Sequence, residues 1–256
     1  MDPYPTVASW QKMLDKTFLP LILGSAKWQH QCLTKFLTYA NKDEQYYALL
    51  RIPPCLVWEK KVDGLITVCN TLHTPLSSKP VMVWIIGQVT KRWFFDKNSN
   101  TYNQAAIHVR PLTASSFAAA RLLTKHLGAP TGTLDDASGE LRASCFCSHQ
   151  VCGVRASETA AFDDVYDAQV EFKSKTGRNG MTPLDAADIQ DNDIVLVEAT
   201  VIRYDKSYSK KDGKSGGKKS GSPDWAFLFQ LHHISLLFTP SDKPDIEDEC
   251  GFSGCL

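Results

Sequence analysis

Six lysines, Lys206, Lys210, Lys211, Lys214, Lys218 and Lys219, crowd into a Ser/Gly-rich stretch where only Asp205 and Asp212 offset them. Attraction of phosphate oxygens needs no fixed geometry, so such a stretch can bind a nucleic-acid backbone by releasing its counterions. The plainer account is a solvated hairpin tip that keeps a sheet edge from pairing with another chain. A nuclear targeting signal is a third.

Aromatic residues recur beside basic ones: Lys91, Arg92, Trp93, Phe94 and Phe95, then Tyr102, then Arg203, Tyr204 and Tyr208, then Trp225, Phe227 and Phe229. Single-strand binders combine a cationic groove with aromatic faces on which bases stack. Arg92, Trp93, Arg203, Tyr204 and Tyr208 are the candidates for stacking and groove contacts, with the lysines of 206–219 for phosphates. On a strand, alternate residues face opposite ways. Trp93 and Phe95 then share one face and Phe94 takes the other. The competing account puts most of these rings in the core.

Cys145, Cys147, His149 and Cys152 lie in the run CFCSHQVC. Thiolates and imidazoles are zinc ligands, but C-x-C-x-H-x-x-C lacks the usual knuckle pairs. Loop cysteines without metal are the alternative; a zinc site would recruit Cys250, Cys255 or a histidine. His232 and His233 are neighbours on a strand, so they point to opposite faces, one packed and one exposed. Asp188, Asp191 and Asp193 resemble a calcium loop only in part. The sixth position is Asp193 rather than Gly and the twelfth is Ala199 rather than Glu. A polar turn before a strand accounts for them. No nucleophile elbow, P-loop, dinucleotide fingerprint or HExxH motif occurs, so no catalytic residue is assigned. Asp163, Asp164 and Glu171 could serve a metal-dependent nuclease, though nothing in the sequence fixes their geometry.

The 256 residues carry 28 basic and 28 acidic side chains, for a net charge of zero. A chain that binds nucleic acid over its whole surface is usually basic overall, so any such activity must come from local charge. An apolar fraction of 43% supports a sizeable core. The N-terminal MDPYPTVASW has no signal-peptide pattern, and the longest apolar run, VMVWII, falls far short of the roughly 20 residues that span a membrane. Eight cysteines in this length do not make a disulfide scaffold. The expectation is a soluble intracellular protein of nucleus or cytoplasm, with mostly reduced thiols and no membrane contact.

The elements that must position these residues follow from periodicity. Residues 8–23 and 25–40 read as two helices. The second has Trp28, Cys32, Leu33, Phe36, Leu37 and Ala40 on one stripe. Strands follow over 46–52, 65–72 and 81–95, where Gly87 marks a bulge or bend. Thr101 to Leu112 should return as a hairpin partner after the turn residues of 96–100. A helix runs from about Thr113 or Ser115 to Gly128. Residues 129–160 read as a linker or excursion. In the strand VYDAQVEF, Tyr166, Ala168, Val170 and Phe172 should face the core. Asp193 to Asp205 and Trp225 to Phe238 form a long hairpin at the edge of the domain, with the lysine stretch as its tip. This gives a helical segment over 1–45, a β-rich domain over 46–240 and an acidic tail over 241–256.

The IVLVEATVIRY segment, its lysine-rich insert and WAFLFQLHHISLLF resemble uncharacterised proteins of mushroom-forming fungi over about the last third of the chain. That resemblance implies no activity. The arrangement of strands, helix and long basic loop also looks like an OB-type barrel, in which the loop between the last two strands contacts single-stranded nucleic acid. The expected fold is α+β, a β-rich OB-like barrel with N-terminal helices. There are more strand and helix candidates than a minimal barrel needs, which keeps a β-sandwich or jelly roll open. The expected function is non-catalytic binding of single-stranded DNA or RNA, without a cofactor unless zinc binds. The alternatives are a module that binds itself or a protein partner, and a metal-dependent hydrolase.

Overall fold

The computed structural model describes residues 27–61, 69–96, 98–127, 134–135, 138–147, 150–151, 154–155, 161–170, 181–205 and 225–240. The fold is β-rich with few helices. Five strands carry it: β5 (Met82–Phe95), β6 (Thr101–Pro111), β8 (Glu140–Phe146), β13 (Ile194–Asp205) and β14 (Trp225–Phe238). β5 pairs with β6, β6 with β8, β8 with β14, β14 with β13, and β13 returns to β5. All of these pairings are antiparallel except β8 with β14, which is parallel.

The ring closes because each strand keeps one apolar face. Ile85 and Val89 of β5, Ile107 and Val109 of β6, and Leu141 and Ala143 of β8 meet Val195, Val197, Ala199 and Val201 of β13 and Phe227 and Phe229 of β14 in a single core. Gly87 stands where β5 lies close against β6; a Cβ there would collide with the carbonyl oxygen of Arg110. Helix α2 (Ala114–Leu127) joins β6 to β8 and adds Ala120 and Leu123 to the same core. Its first turn is capped by Thr113, whose Oγ1 accepts from the Ser116 N–H at 3.0 Å.

The remaining elements extend the ring. β3 (Val57–Lys61) pairs with β4 (Cys69–His73), which pairs with the far end of β13. β1 (Ala40–Asn41) pairs with β2 (Tyr46–Ala48), which runs parallel to the start of β5. β7 (Leu134–Asp135) adds to β8, and β9 (Gln150–Val151) pairs with β10 (Val154–Arg155). β11 (Val165–Asp167) lies parallel to β14 and pairs with β12 (Thr182–Pro183). Helix α1 (Lys27–Leu37) packs Leu33, Phe36 and Leu37 on the outside of the ring, over Trp84, Ile86 and Leu196. No helix among the described residues is long and apolar enough to cross a membrane.

Several expectations are corrected. The 193–238 hairpin forms, but not at an edge: β13 is flanked by β14, β5 and β4, and β14 by β13, β8 and β11. Closing the ring uses the hydrogen-bonding groups that an edge would expose. The 129–160 stretch contains β8, a member of the ring. Helix α1 ends at Leu37, so Ala40 leaves the stripe and is exposed. In VYDAQVEF the strand stops at Asp167; Ala168 is buried and Tyr166 packs against the cluster under α1, as expected, but Val165 is buried in the main core and Val170 is 83% exposed. The polar turn before β13 is as read: a short 3-10 turn, Ala186–Asp188, capped by Asp185. The helix over 8–23, the start of the strand over 65–72 and the acidic tail lie outside the described residues.

Candidate nucleic-acid interface

The outer faces of β5, β6 and β8 form one surface. Cross-strand register places Lys91, His108 and Arg142 in one row, Trp93, Ala106 and Ser144 in the next, and Gln104 opposite Phe146. Residues directly opposite on paired strands share a face, so these side chains project together, away from the core. Phe146 is 69% exposed and Tyr102, near the start of β6, is 38% exposed. The Trp93 ring meets the His108 ring edge-on, with centroids 4.6 Å apart. Gln104 donates to the Ser144 hydroxyl at 3.1 Å.

One acid sits inside this surface. Glu140 is buried, and its Oε2 lies 3.4 Å from both Lys91 Nζ and His108 Nδ1. Burial raises the Glu140 pKa, but hydrogen bonds from His108, Lys91 and Thr90 outweigh it and hold the carboxyl below its ordinary value. Burial likewise pushes His108 below the ordinary histidine range, against the pull of Glu140. Among the described residues, Nε of Arg142 is buried without a hydrogen-bond partner. The surface is therefore aromatic and cationic, with its charge partly offset by Glu140.

Arg92 and Trp93 separate. Trp93 belongs to the outer surface, whereas Arg92 pairs with core-facing Ile107 and sits at the mouth of the ring. There its guanidinium donates to Gln190 Oε1 at 3.1 Å and to Asp191 Oδ1 at 3.4 Å. Phe95 does not share the Trp93 face. A register irregularity between Trp93 and Phe95 breaks the alternation, and Phe95 packs against the core beside Phe94. Phe94 itself is buried, as the alternation predicts, and stacks on Phe162.

Arg203 and Tyr204 also separate, since Arg203 shares the core-side face with Phe227 and Tyr204 takes the other. The Arg203 guanidinium carbon lies 4.6 Å from the Trp58 ring centre and 4.4 Å from that of Trp225. Burial holds its pKa below the usual arginine value. A guanidinium already stacked on two indoles has little face to offer a base, so this cluster fixes β3 to the β13–β14 pair. Phe227 and Phe229 are core residues. Lys206, Tyr208, Lys210, Lys211, Lys214, Lys218 and Lys219 lie outside the described residues.

Cys145 and Cys147 pack against the core. Burial, and then the neighbouring Cys147, push the Cys145 thiol up to about 12. His149 and Cys152 lie outside the described residues. Among the described residues, no group of three or more His, Cys, Asp or Glu is placed to hold a metal ion.

His232 and His233 do not split into one packed and one exposed ring. Glu198 pairs with His233 and Ala199 with Leu231, so His232 is an extra residue in β14. Such a bulge suspends the alternation. Both rings are half-buried, 6.3 Å apart and tilted by 30°. Thr200 Oγ1 lies 2.8 Å from His232 Nε2, and His233 lies 3.6 Å from Glu198 and 3.5 Å from Asp164. Asp164 thus joins a histidine, while Glu171 lies outside the described residues.

The sequence reading named Lys91 and Tyr102 among the basic and aromatic neighbours but missed His108, Arg142 and Phe146. The signal was present in ELRASCF. Leu141, Ala143 and Cys145 alternate there with Arg142, Ser144 and Phe146.

No family model matches the chain, and no curated protein matches it. Among solved structures it is similar to gp2.5, a single-stranded DNA-binding protein encoded by bacteriophage T7. The two share 12% identity with a TM-score of 0.32, over 68% of this chain and 97% of that one. A likeness at that level carries no argument about what this chain does.

Proposed function

We propose that this chain is a non-catalytic single-stranded nucleic-acid-binding protein built on an OB-like barrel. The observation that carries the reading is the outer surface of β6, β8 and the adjoining half of β5, where Lys91, Trp93, His108, Arg142 and Phe146 project together. Basic side chains interleaved with aromatic faces suit a backbone and its bases at once. Ring connectivity supports the barrel. Of its members in chain order, the third and fifth pair in parallel and the first and fourth antiparallel, so the path closes on itself. In an OB barrel the second and third strands form the binding face, flanked by the loops after the first and fourth strands. Here the second and third members are β6 and β8. The flanking loops are the β5–β6 turn and the lysine-rich segment between β13 and β14.

The test is fluorescence anisotropy of labelled oligo-dT and oligo-U across a salt series. The expected result is micromolar or tighter binding that weakens steeply with salt, with a log–log slope of about −0.7 per phosphate neutralised on a single strand. Replacing Lys210, Lys211, Lys218 and Lys219 by glutamate should weaken binding and flatten that slope. Unchanged binding would remove the loop from the interface. No binding at low salt would overturn the proposal.

A further inference from the structure

A cleft of about 410 Å³ opens at the mouth of the ring, apart from the outer surface. Arg92, Phe94 and Phe95 of β5 form one wall, Ser99 of the β5–β6 turn the lip, and Asp185–Ala187 the facing wall. Ser99 adopts a left-handed backbone, φ 61°. This conformation is uncommon for a residue other than glycine.

We propose that this cleft receives one guanine base of the bound strand; the inference rests on the single-stranded nucleic-acid reading. Charge decides between base and phosphate. Asp185 lines the facing wall and is exposed, Asp188 follows it on the same turn, and Asp191 beyond the turn already pairs with Arg92. A phosphate would enter against the Asp185 carboxylate on the wall, with one partly neutralised guanidinium in its favour. An uncharged planar ring meets no such repulsion and has Phe94 and Phe95 as an apolar wall.

The polar groups narrow the choice of base. A guanidinium has five N–H donors, and among the described residues those of Arg92 go to Gln190 and Asp191. The rest can serve a ligand. Asp185 accepts from the Ala187 N–H through Oδ1, and its carboxylate retains acceptor capacity. The cleft thus offers a donor fork on one wall and an acceptor on the other. Guanine matches both, with O6 and N7 as paired acceptors for arginine and N1–H and N2–H as donors for a carboxylate. Adenine and thymine lack the paired acceptors that the fork selects, and cytosine carries its O2 and N3 acceptors and its N4 donor on one edge, so it cannot face both walls at once. The β5–β6 turn separates this cleft from the Trp93 surface, so a strand bending over that turn can place one base here while its neighbours stack outside.

The test uses the full chain and three labelled probes: oligo-dT, the same oligomer with one central guanine, and the same with one central adenine. The expected result is roughly 5-fold or greater tightening for the guanine probe alone. Arg92→Lys keeps the charge without the fork, and Asp185→Asn keeps the helical cap without the charge. Each should abolish the guanine preference and leave oligo-dT affinity unchanged. Equal affinity for all three probes, or a preference that survives both substitutions, overturns the guanine site while leaving the binding surface intact. Failure to bind any probe at low salt overturns the underlying function and the site with it.

Discussion

The two halves of β5 share a strand and a core face, yet their outer faces have opposite fates. Over Met82–Gly87 the outer residues are Trp84 and Ile86, and α1 covers them. Trp84 is 2% exposed, stacked on Tyr39 at 4.2 Å and met edge-on by Phe36 and Tyr46. Over Lys91–Phe95 the outer residues are Lys91 and Trp93, and they remain half-buried or exposed. An indole that another element covers stabilises the fold. An indole beside cations, with no described helix packed over it, is the kind of surface the proposed function needs. The same residue type thus serves packing in one half and, under the proposed function, recognition in the other, decided by whether the neighbouring outer residues are apolar.

The sharpest way to break this comparison is to truncate both tryptophans. Trp84→Ala should destabilise the fold by about 3–5 kcal/mol, seen in denaturant melts. Trp93→Ala should leave the melt nearly unchanged and weaken oligonucleotide binding by about 1–3 kcal/mol, the value of one stacked base. If both variants lost only stability, the bare half would be packing too.

A smaller effect separates the Arg203 cluster from the interface. Arg203→Ala should lower stability by roughly 1–2 kcal/mol through its lost indole contacts. Affinity for oligo-dT should stay within about twofold, well short of the loss expected from one stacked base. A large loss of affinity in a folded variant would return Arg203 to the binding surface.

Smaller again is the role of Glu140. Glu140→Gln removes the acid that offsets Lys91 and His108, so affinity should rise by a few fold at low salt and the gain should fade as salt increases. Weaker binding would mean that Glu140 acts chiefly by holding Lys91 and His108 in place.

The smallest expected effect is on pH. Burial lowers the His108 pKa from its ordinary 6.5. Between the folded value and 6.5 the unfolded chain carries more protons, so stability is full above about 6.5 and declines as pH falls through that window. His108→Gln should remove this part of the acid sensitivity, read as the difference in melting temperature between pH 7.5 and 5.5. The low Glu140 pKa acts in the same direction in a more acidic window.

How much of this was legible in the sequence depended on whether local pattern or long-range pairing decided the outcome. The segments 193–205 and 225–238 were readable because β-branched and aromatic residues run almost without a break between turn residues. The β5–β6 hairpin was readable from its turn chemistry. β8 was not, because the crowded interior gives Ala143 and Cys145 to its core face and the outer face mixes Arg142, Ser144 and Phe146. Small and polar residues there hide a real two-residue period. The edge reading of the hairpin failed because the β13–β5 pairing joins segments about a hundred residues apart, and nothing local announces it. The two histidines failed for a different reason: one extra residue in β14 suspends the alternation on which the reading relied. Arg92 and Trp93 were singled out together, but their adjacency in sequence disguised a separation across the strand.

The most direct test of the central claim is photocrosslinking of the protein to an oligonucleotide carrying 5-iodouracil, followed by mass-spectrometric mapping of the attached residues. Crosslinks at Trp93, His108 or Phe146, lost when salt releases the oligonucleotide, are the predicted result. Crosslinks confined to α1 or the Trp58–Arg203–Trp225 cluster, with none on β5, β6 or β8, would contradict the account.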